Sequence, residues 1–433
     1  MSNKPRFVIS SPFDTYSGYG SRARDIIKSI IELNKYKVEL LPQKWGETAW
    51  GFCEDHPEWE YLNSHIVSSN WQHTKPEIWM QITIPNEFQP VGKYNIGLTA
   101  GIESTACKGE WVVGLNRMDM NWVSSHFSKN TFERVSFEVK DKNTQQTSIL
   151  KLQKPIAVVF EGVDLGTYKP LKPTEIKNVS LKDIKESFCY LFVGHWMQGD
   201  HGHDRKNVGV LIESFLKAFK DKRGPKPALI LKSSIGVSSY MSREAILEKV
   251  KYICDFYHIN SSNLPNIYLF NGELSDDEMN ELYNNPKVKA MVSFTKGEGF
   301  GRPLLEFGTT GKPIIASGWS GHMDFLNSKY SSLIPGELEE VHISAANNWL
   351  IKESKWFKID TLAAIKSMKD IYKHYKEYLK NSRKQKTNIK QNFTRENMKE
   401  LIENILDKNI PDFAKQVELK LPKLKLPKLE KIK

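Results

Sequence analysis

The sequence predicts two doubly wound α/β domains joined by a linker, and three observations carry that expectation. Its 433 residues suit two domains of ordinary size, since a domain averages roughly 150 residues. Short apolar runs rich in β-branched and aromatic residues alternate with longer stretches of helical period, which is the pattern of βα units in parallel sheets. Between Pro170 and Ser187, the run Lys169-Pro170-Leu171-Lys172-Pro173 stiffens the chain before a new strand begins at Cys189.

In chain order, the strand candidates of the first half are Phe7 to Ile9, Ile78 to Ile84 and Ile156 to Phe160. Those of the second half are Cys189 to Val193, Leu229 to Lys232, Ile267 to Phe270, Ala290 to Phe294 and Pro313 to Ala316. Helical period follows most of them, as at Lys206 to Phe219 and Asp276 to Tyr283. Residues 135–152 read as two strands about a polar turn. Beyond the last strand the pattern is helical with aromatic anchors such as Trp356 and Tyr375, then basic, then helical again from Thr394 to Leu406. The expected division is a domain over 1–172, a second over 187–385 and a basic tail over 411–433. The tail repeats Leu-Pro-Lys-Leu at 421–424 and 426–429, and its prolines forbid a regular helix.

Composition excludes several classes. With 39% hydrophobic and 26% charged residues, the chain reads as an ordinary globular protein rather than a disordered one. No apolar run approaches the roughly 20 residues of a bilayer span, so no transmembrane segment is expected. The N-terminal stretch has no apolar signal-peptide core, which predicts a cytoplasmic protein that at most sits peripherally at a membrane. Cys53, Cys107, Cys189 and Cys254 lie far apart, which excludes a disulfide scaffold and a cysteine zinc site. The formal charge of +11 is local: Lys373 to Lys390 holds seven Lys or Arg against one Glu, and Lys415 to Lys433 seven Lys against two Glu. Residues 1–172 are nearly balanced, with 20 basic and 19 acidic. Any preference for a polyanion therefore lies near the C-terminus.

The strongest chemical signal runs from Ser293 to Glu306. A strand ends near Phe294, the turn Gly297-Glu298-Gly299-Phe300-Gly301 follows, and Pro303 stands where a helix starts. Backbone N–H groups at such a turn and helix N-terminus suit a diphosphate. Glu298 sits on the turn and Glu306 eight positions later, so a ligand at the strand's C-terminal edge can meet a carboxylate at each end. Carboxylates accept hydrogen bonds from the paired hydroxyls of a ribose or a hexose.

This stretch resembles the Glu-x7-Glu motif of retaining GT-B glycosyltransferases, in particular the large family 4 of nucleotide-sugar-dependent enzymes. The resemblance is detailed over residues 188–326 and looser over the first half. It implies an α/β GT-B fold, two Rossmann-like domains facing a cleft, with a terminal helix at about 394–410 crossing back to the first domain. It implies that Glu298 contacts the transferred sugar near the reacting carbon and that Glu306 holds the ribose. The amides of Gly299, Phe300 and Gly301 would face the sugar and the diphosphate.

The same likeness assigns other positions. Arg205-Lys206-Asn207 precedes a helix, and in the family a basic pair there binds the donor diphosphate, so Lys206 joins Glu298 as a catalytic candidate. Many relatives have an arginine after the strand-end glycine, whereas this chain has His195, which leaves the second phosphate contact to Arg205 or Lys232. Phe270-Asn271-Gly272-Glu273-Leu274 resembles the turn that reads the nucleobase edge, with Leu274 beside the donor; a plain turn capped by Ser275 is the other reading. Ser17-Gly18-Tyr19-Gly20 precedes a helix near Ser21 and matches the glycine loop that reaches toward the donor, through Gly18 or Gly20. Glu103 falls where relatives place acceptor-cleft residues; the histidine often found in that cleft has no clear counterpart here, His126 being the nearest candidate, with a structural helix-start histidine as the other reading.

The resemblance implies a UDP-sugar or GDP-sugar as donor substrate, no further cofactor, no metal, and transfer to a glycan or lipid hydroxyl with retention. His195, Asp200, His201, His203 and Asp204 crowd one loop, which raises zinc as an alternative, yet no further ligand cluster converges in the sequence. Two other readings stay open: transfer to a modified DNA base, with the basic stretches tracking phosphates, and a non-catalytic sugar-nucleotide-binding GT-B protein. The tail, with lysines beside leucines, suits an anionic surface.

Overall fold

The computed structural model describes residues 4–68, 71–140, 145–256, 264–347 and 349–413. The first domain runs β1 (Arg6–Ser11), α1 (Gly18–Glu32), β2 (Lys37–Pro42), a short α2 (Phe52–Asp55), β3 (Ile78–Ile82), β4 (Tyr94–Thr99), α3 (Gly109–Arg117), β5 (Met120–Val123) and α4 (His126–Arg134). The hairpin β6 (Ser136–Lys140) and β7 (Thr147–Lys151) follows, then β8 (Ile156–Val158). The second domain continues with β9 (Cys189–Val193), α5 (Val208–Phe219), β10 (Ala228–Lys232), α6 (Tyr240–Phe256), β11 (Ile267–Phe270), α7 (Asp276–Asn284), β12 (Val288–Ser293), α8 (Arg302–Gly308), β13 (Ile314–Ser317) and β14 (Ser332–Ile334). A hairpin of β15 (Gly336–Glu340) and β16 (Lys355–Ile359) precedes α9 (Thr361–Lys373), α10 (Tyr375–Asn392) and α11 (Arg395–Asn409).

Two six-stranded sheets result, ordered β2-β1-β3-β4-β5-β8 and β11-β10-β9-β12-β13-β14. Every pairing within them is parallel. The central strands are buried because helices cover both faces: β3 is buried at all five positions, and β9 at four of five. In such sheets ligands bind outside the carboxyl ends of the strands where the order reverses. That point falls between β9 and β12 in the second domain and between β1 and β3 in the first, and it decides where the site lies.

The crossing is built from two adjacent chain segments. Val163 pairs with Thr394, its N–H donating to Phe393 O at 2.9 Å while Arg395 N–H donates to Val163 O at 3.0 Å. α11 then lies on α1 with Met398, Ile402 and Leu406 buried in the first domain's core, one residue every turn. Arg395 fastens it to Glu32 at 2.8 Å.

Several expected boundaries move. α1 starts at Gly18 with Ser17 as its cap, not near Ser21, because the Ser17 hydroxyl accepts from Gly20 N–H at 2.9 Å. α5 starts at Val208 rather than Lys206, since Asn207 adopts a left-handed cap with φ 55°. α10 runs through residue 385 to Asn392, held by Ile389 and Gln385 in the core. The two-strand reading of 135–152 corresponds to β6 and β7; the polar turn at 141–144 and the tail from 414 lie outside the described residues. Among the described residues no helix is long and apolar enough to cross a membrane.

Candidate active site

At the second sheet's switch point the loops after β9 and β12 meet, and they bring Arg205, Lys206 and Glu298 together. The β12 loop is locked first: Glu298 N–H donates to Ser320 Oγ at 2.9 Å, and Gly321 N–H donates to Glu298 O at 2.9 Å. Ser320 holds φ 81°, a conformation a non-glycine residue adopts only under constraint. Lys206 Nζ then lies 2.5 Å from Glu298 Oε1 and Arg205 Nη1 3.4 Å from Oε2. Burial opposes ionisation of Glu298, yet Lys206 and Arg205 outweigh it and hold the carboxyl at about 2.

Glu103, an expected acceptor-side residue, closes the cluster from the other domain, 3.7 Å from Arg205 Nη2. Two cations thus meet two carboxylates, Glu298 from their own domain and Glu103 from across the interdomain cleft. The domains touch through backbone here. A Cβ on Gly297 would sit 1.8 Å from Glu103 O, and one on Gly299 2.5 Å from Ala100 O. Glycine at both positions is what permits the approach.

Glu306 sits one turn into α8, buried, with Arg302 Nε 2.8 Å from one oxygen and the Tyr283 hydroxyl donating to the other at 3.2 Å. Burial pushes its carboxyl up to about 7, against the pull of Arg302. Arg302 also reaches Asp25 on α1 at 2.6 Å, a second ionic link between domains.

The remaining expected residues are placed as follows. Lys232, at the end of β10, donates to Gly272 O at 2.6 Å. Leu274 packs against the second domain's core, in a turn where Ser275 does cap α7 with a capping box to Glu278. Among the described residues, the N–H groups of Gly299, Phe300 and Gly301 donate to no carbonyl or side chain, while the Phe300 ring is buried against Phe325. Gly18 and Gly20 belong to the first turn of α1 rather than to a free loop. A Cβ on Gly20 would meet Thr15 O at 2.4 Å, whereas one on Gly18 meets nothing within 4 Å. His126 is not drawn into the cluster: its N–H and ring nitrogen both meet Asp324 of the second domain, at 2.9 and 3.1 Å, and its ring is largely exposed.

The histidine-rich loop after β9 is spoken for by its neighbours. His203 stacks on His342 at 4.0 Å, His201 faces Glu213 at 3.3 Å, and the Asp204 carboxylate accepts from Val208 N–H at the start of α5. Among the described residues no three His, Cys, Asp or Glu side chains come together to hold a metal ion. His195 Nδ1 meets Ser234 Oγ at 2.8 Å.

Sequence reasoning missed Asp25, Tyr283, Arg302, Ser320 and His322. His322 is fully buried, and its Nε2–H donates to Ser317 O at 2.6 Å, which leaves Nδ1 as an acceptor with no partner among the described residues. Burial lowers its pKa, which favours the neutral ring. For Ser320 and His322 the cue was the turn Gly318-Trp319-Ser320-Gly321 after β13, where a Cβ on Gly321 would meet Gly299 O of the Glu298 loop at 2.1 Å; Arg302 stood inside the 293–306 stretch without a role, and Asp25 and Tyr283 carried no local signal.

Two facing doubly wound sheets with a switch-point cluster between them define the GT-B fold. The chain is similar to three solved structures in this class. Sucrose-phosphate synthase from Thermosynechococcus elongatus matches with a TM-score of 0.62 and 11% identity, over 94% of this chain and 99% of that one. Anabaena Alr3699/HepE in complex with UDP and glucose matches with 0.60 and 11%, over 93% and 100%. A glycosyltransferase from Rickettsia africae ESF-5 matches with 0.60 and 13%, over 95% and 100%. No protein-family model and no curated protein matches the sequence.

Proposed function

We propose that the protein transfers a sugar from a nucleoside-diphosphate sugar, a UDP-sugar or a GDP-sugar, to an acceptor hydroxyl with retention of configuration. The observation that carries the reading is the convergence of Lys206 and Arg205 on Glu298 at the β9/β12 switch point. The leaving group is a nucleoside diphosphate, whose charge grows as the sugar–phosphate bond breaks. Two buried cations beside it stabilise that charge without a metal. Glu298 accepts from the sugar hydroxyls, Glu306 from the ribose, and Glu103 faces the acceptor from the first domain. In a same-face displacement the bond from the anomeric carbon to the phosphate oxygen breaks as the acceptor oxygen bonds that carbon. The departing phosphate takes the acceptor proton, so no separate base is required. The neighbours crystallised with UDP and with UDP-glucose lend support from the fold.

The test is slow donor hydrolysis over a panel of nucleotide sugars, with the anomer released followed by NMR. Lys206→Ala and, above about pH 7 where Glu306 is ionised, Glu306→Ala each remove a hydrogen bond involving a charged group, worth about 1.5–3 kcal/mol, and should weaken donor binding roughly tenfold to a hundredfold. Unchanged binding in a folded Glu306→Ala protein, or no hydrolysis of any donor by the parent, would overturn the assignment; inversion would overturn the stereochemistry.

A further inference from the structure

Away from the cleft, the second domain carries a continuous cationic face. α10 has 18 residues, so it is about 27 Å long at 1.5 Å per residue. Lys373, just before it, and Lys376, Lys380, Arg383, Lys384 and Lys390 along it are all exposed. The spacing of the five on α10 sets them on one side of that helix, and Lys373 ends α9 just ahead of it. Among the described residues none of the six forms an ion pair, and Lys384 lies 5.8 Å over the Tyr330 ring. The exposed carboxylate among them is Glu377, which faces His374 at 3.7 Å. Six like charges held on one rigid face repel one another, a cost that an anionic partner removes.

The stripe ends at an open cavity of about 450 Å³. Lys222, Lys369 and Lys373 stand around it with Lys217, which pairs with Glu213. The half-buried Tyr372 ring forms its apolar wall, with the buried Phe219 behind it, and Asp221 is the carboxylate on its edge. Lys222 Nζ lies 5.1 Å over the Tyr372 ring, which fixes that amine at the mouth.

We propose that this face docks on an anionic lipid bilayer, α10 lying along the headgroups and the lysine cavity receiving a lipid phosphate with its apolar wall against the chain beneath. Charge complementarity alone would also suit a nucleic-acid backbone. The lipid is favoured by the apolar wall joined to the cations, and by the sequence that continues after α11. Within it residues 415–433 carry a net +5 with Leu419, Leu421, Leu424, Leu426 and Leu429 set among the lysines, and leucines have no partner on a phosphate backbone but do have one in acyl chains. Such docking holds the enzyme at the surface and makes no demand on the catalytic cluster.

The experiment is co-sedimentation of the full chain with phosphatidylcholine vesicles, with and without phosphatidylglycerol, beside a gel shift on duplex DNA at the same salt. The full chain should bind the mixed vesicles, lose them as salt rises, and ignore phosphatidylcholine alone. Replacing Lys373, Lys376, Lys380, Arg383 and Lys384 with glutamine should lower partitioning about tenfold or more, with thermal stability and donor hydrolysis retained. The smaller variant Lys380→Glu with Lys384→Glu should show the same direction if the larger one folds poorly. Equal partitioning by parent and variants, binding to phosphatidylcholine alone, or tighter binding to DNA than to mixed vesicles would each overturn the proposal.

Discussion

Replacing Glu298 with Gln keeps the side chain's size and removes its charge, and the cluster around it dictates three consequences. The Glu298 carboxylate is 2.5 Å from Lys206 and 3.4 Å from Arg205, so under the proposed function an incoming diphosphate competes with it for both cations. A hydrogen bond involving a charged group is worth about 1.5–3 kcal/mol. Releasing it should make UDP bind roughly tenfold to a hundredfold tighter. Turnover should move the other way, by a similar factor, because in the proposed function Glu298 is the charged acceptor that meets the sugar near the reacting carbon. Without ligand the variant should melt several degrees lower, since breaking a buried ion pair by removing one partner costs about 3–5 kcal/mol. Calorimetric titration with UDP, donor hydrolysis and thermal melts read the three effects separately. UDP affinity that falls or stays the same in a folded Glu298→Gln protein would refute the competition argument, since two freed cations cannot bind a diphosphate less well.

Further expectations follow from the same geometry. Glu306 is held protonated up to about pH 7 while its ordinary value is 4.5, so the folded state binds a proton that the unfolded state has released. Stability should therefore fall as pH rises from about 4.5 through 7, by about 3 kcal/mol in all at 1.36 kcal/mol per pK unit. Glu306→Gln should flatten that slope in thermal melts while weakening donor binding, and an unchanged slope would contradict it. Gly299→Ala drives a methyl against Ala100 O and should hold the domains apart, read as a larger radius of gyration and lost turnover. Gly20→Ala should destabilise the first domain by crowding Thr15 O, while Gly18→Ala, with open space, should be tolerated or stabilising by about 0.5–1 kcal/mol; equal effects in melts would contradict the packing. Donor hydrolysis should survive EDTA, because Lys206 and Arg205 supply the positive charge; complete loss restored by a divalent ion would contradict this.

What the sequence displayed was governed by local regularity. Buried parallel strands such as Cys189 to Val193 are continuous apolar runs, so they were legible without a partner. β15, Gly336–Glu340, is exposed at four of five positions and reads as a charged loop, and β4 is broken by Asn95 and Gly97, where the Phe88 ring occupies the space a Cβ would need. The site divides the same way. Glu298, Glu306 and the Arg205-Lys206 pair stand in short motifs tied to one turn. Arg302 and Asp25 are 277 positions apart, and Ser320 matters only because its hydroxyl meets a loop from another strand. Partners of that kind are set by tertiary packing, between the domains for Arg302 and Asp25 and between two loops of one sheet for Ser320, which no local spacing encodes. His126 shows the converse: a helix-start histidine near the cleft was visible, but its Asp324 contact was not.

The return of α11 to the first domain bears on how the chain is made. Met398, Ile402 and Leu406 complete the core that begins with β1, yet they leave the ribosome roughly 240 residues after β8. At about 5–20 residues per second the earlier half waits on the order of 10–50 s with the matching groove of α1 bare. Three apolar side chains of this size are worth about 5–9 kcal/mol when buried, comparable to the whole net stability of a domain. The domain whose strands emerge first is thus the last to become stable, and during translation it depends on a helix not yet synthesised. A permuted gene that places the α11 segment ahead of β1 through a short linker would reverse that order, letting the first domain fold as it emerges.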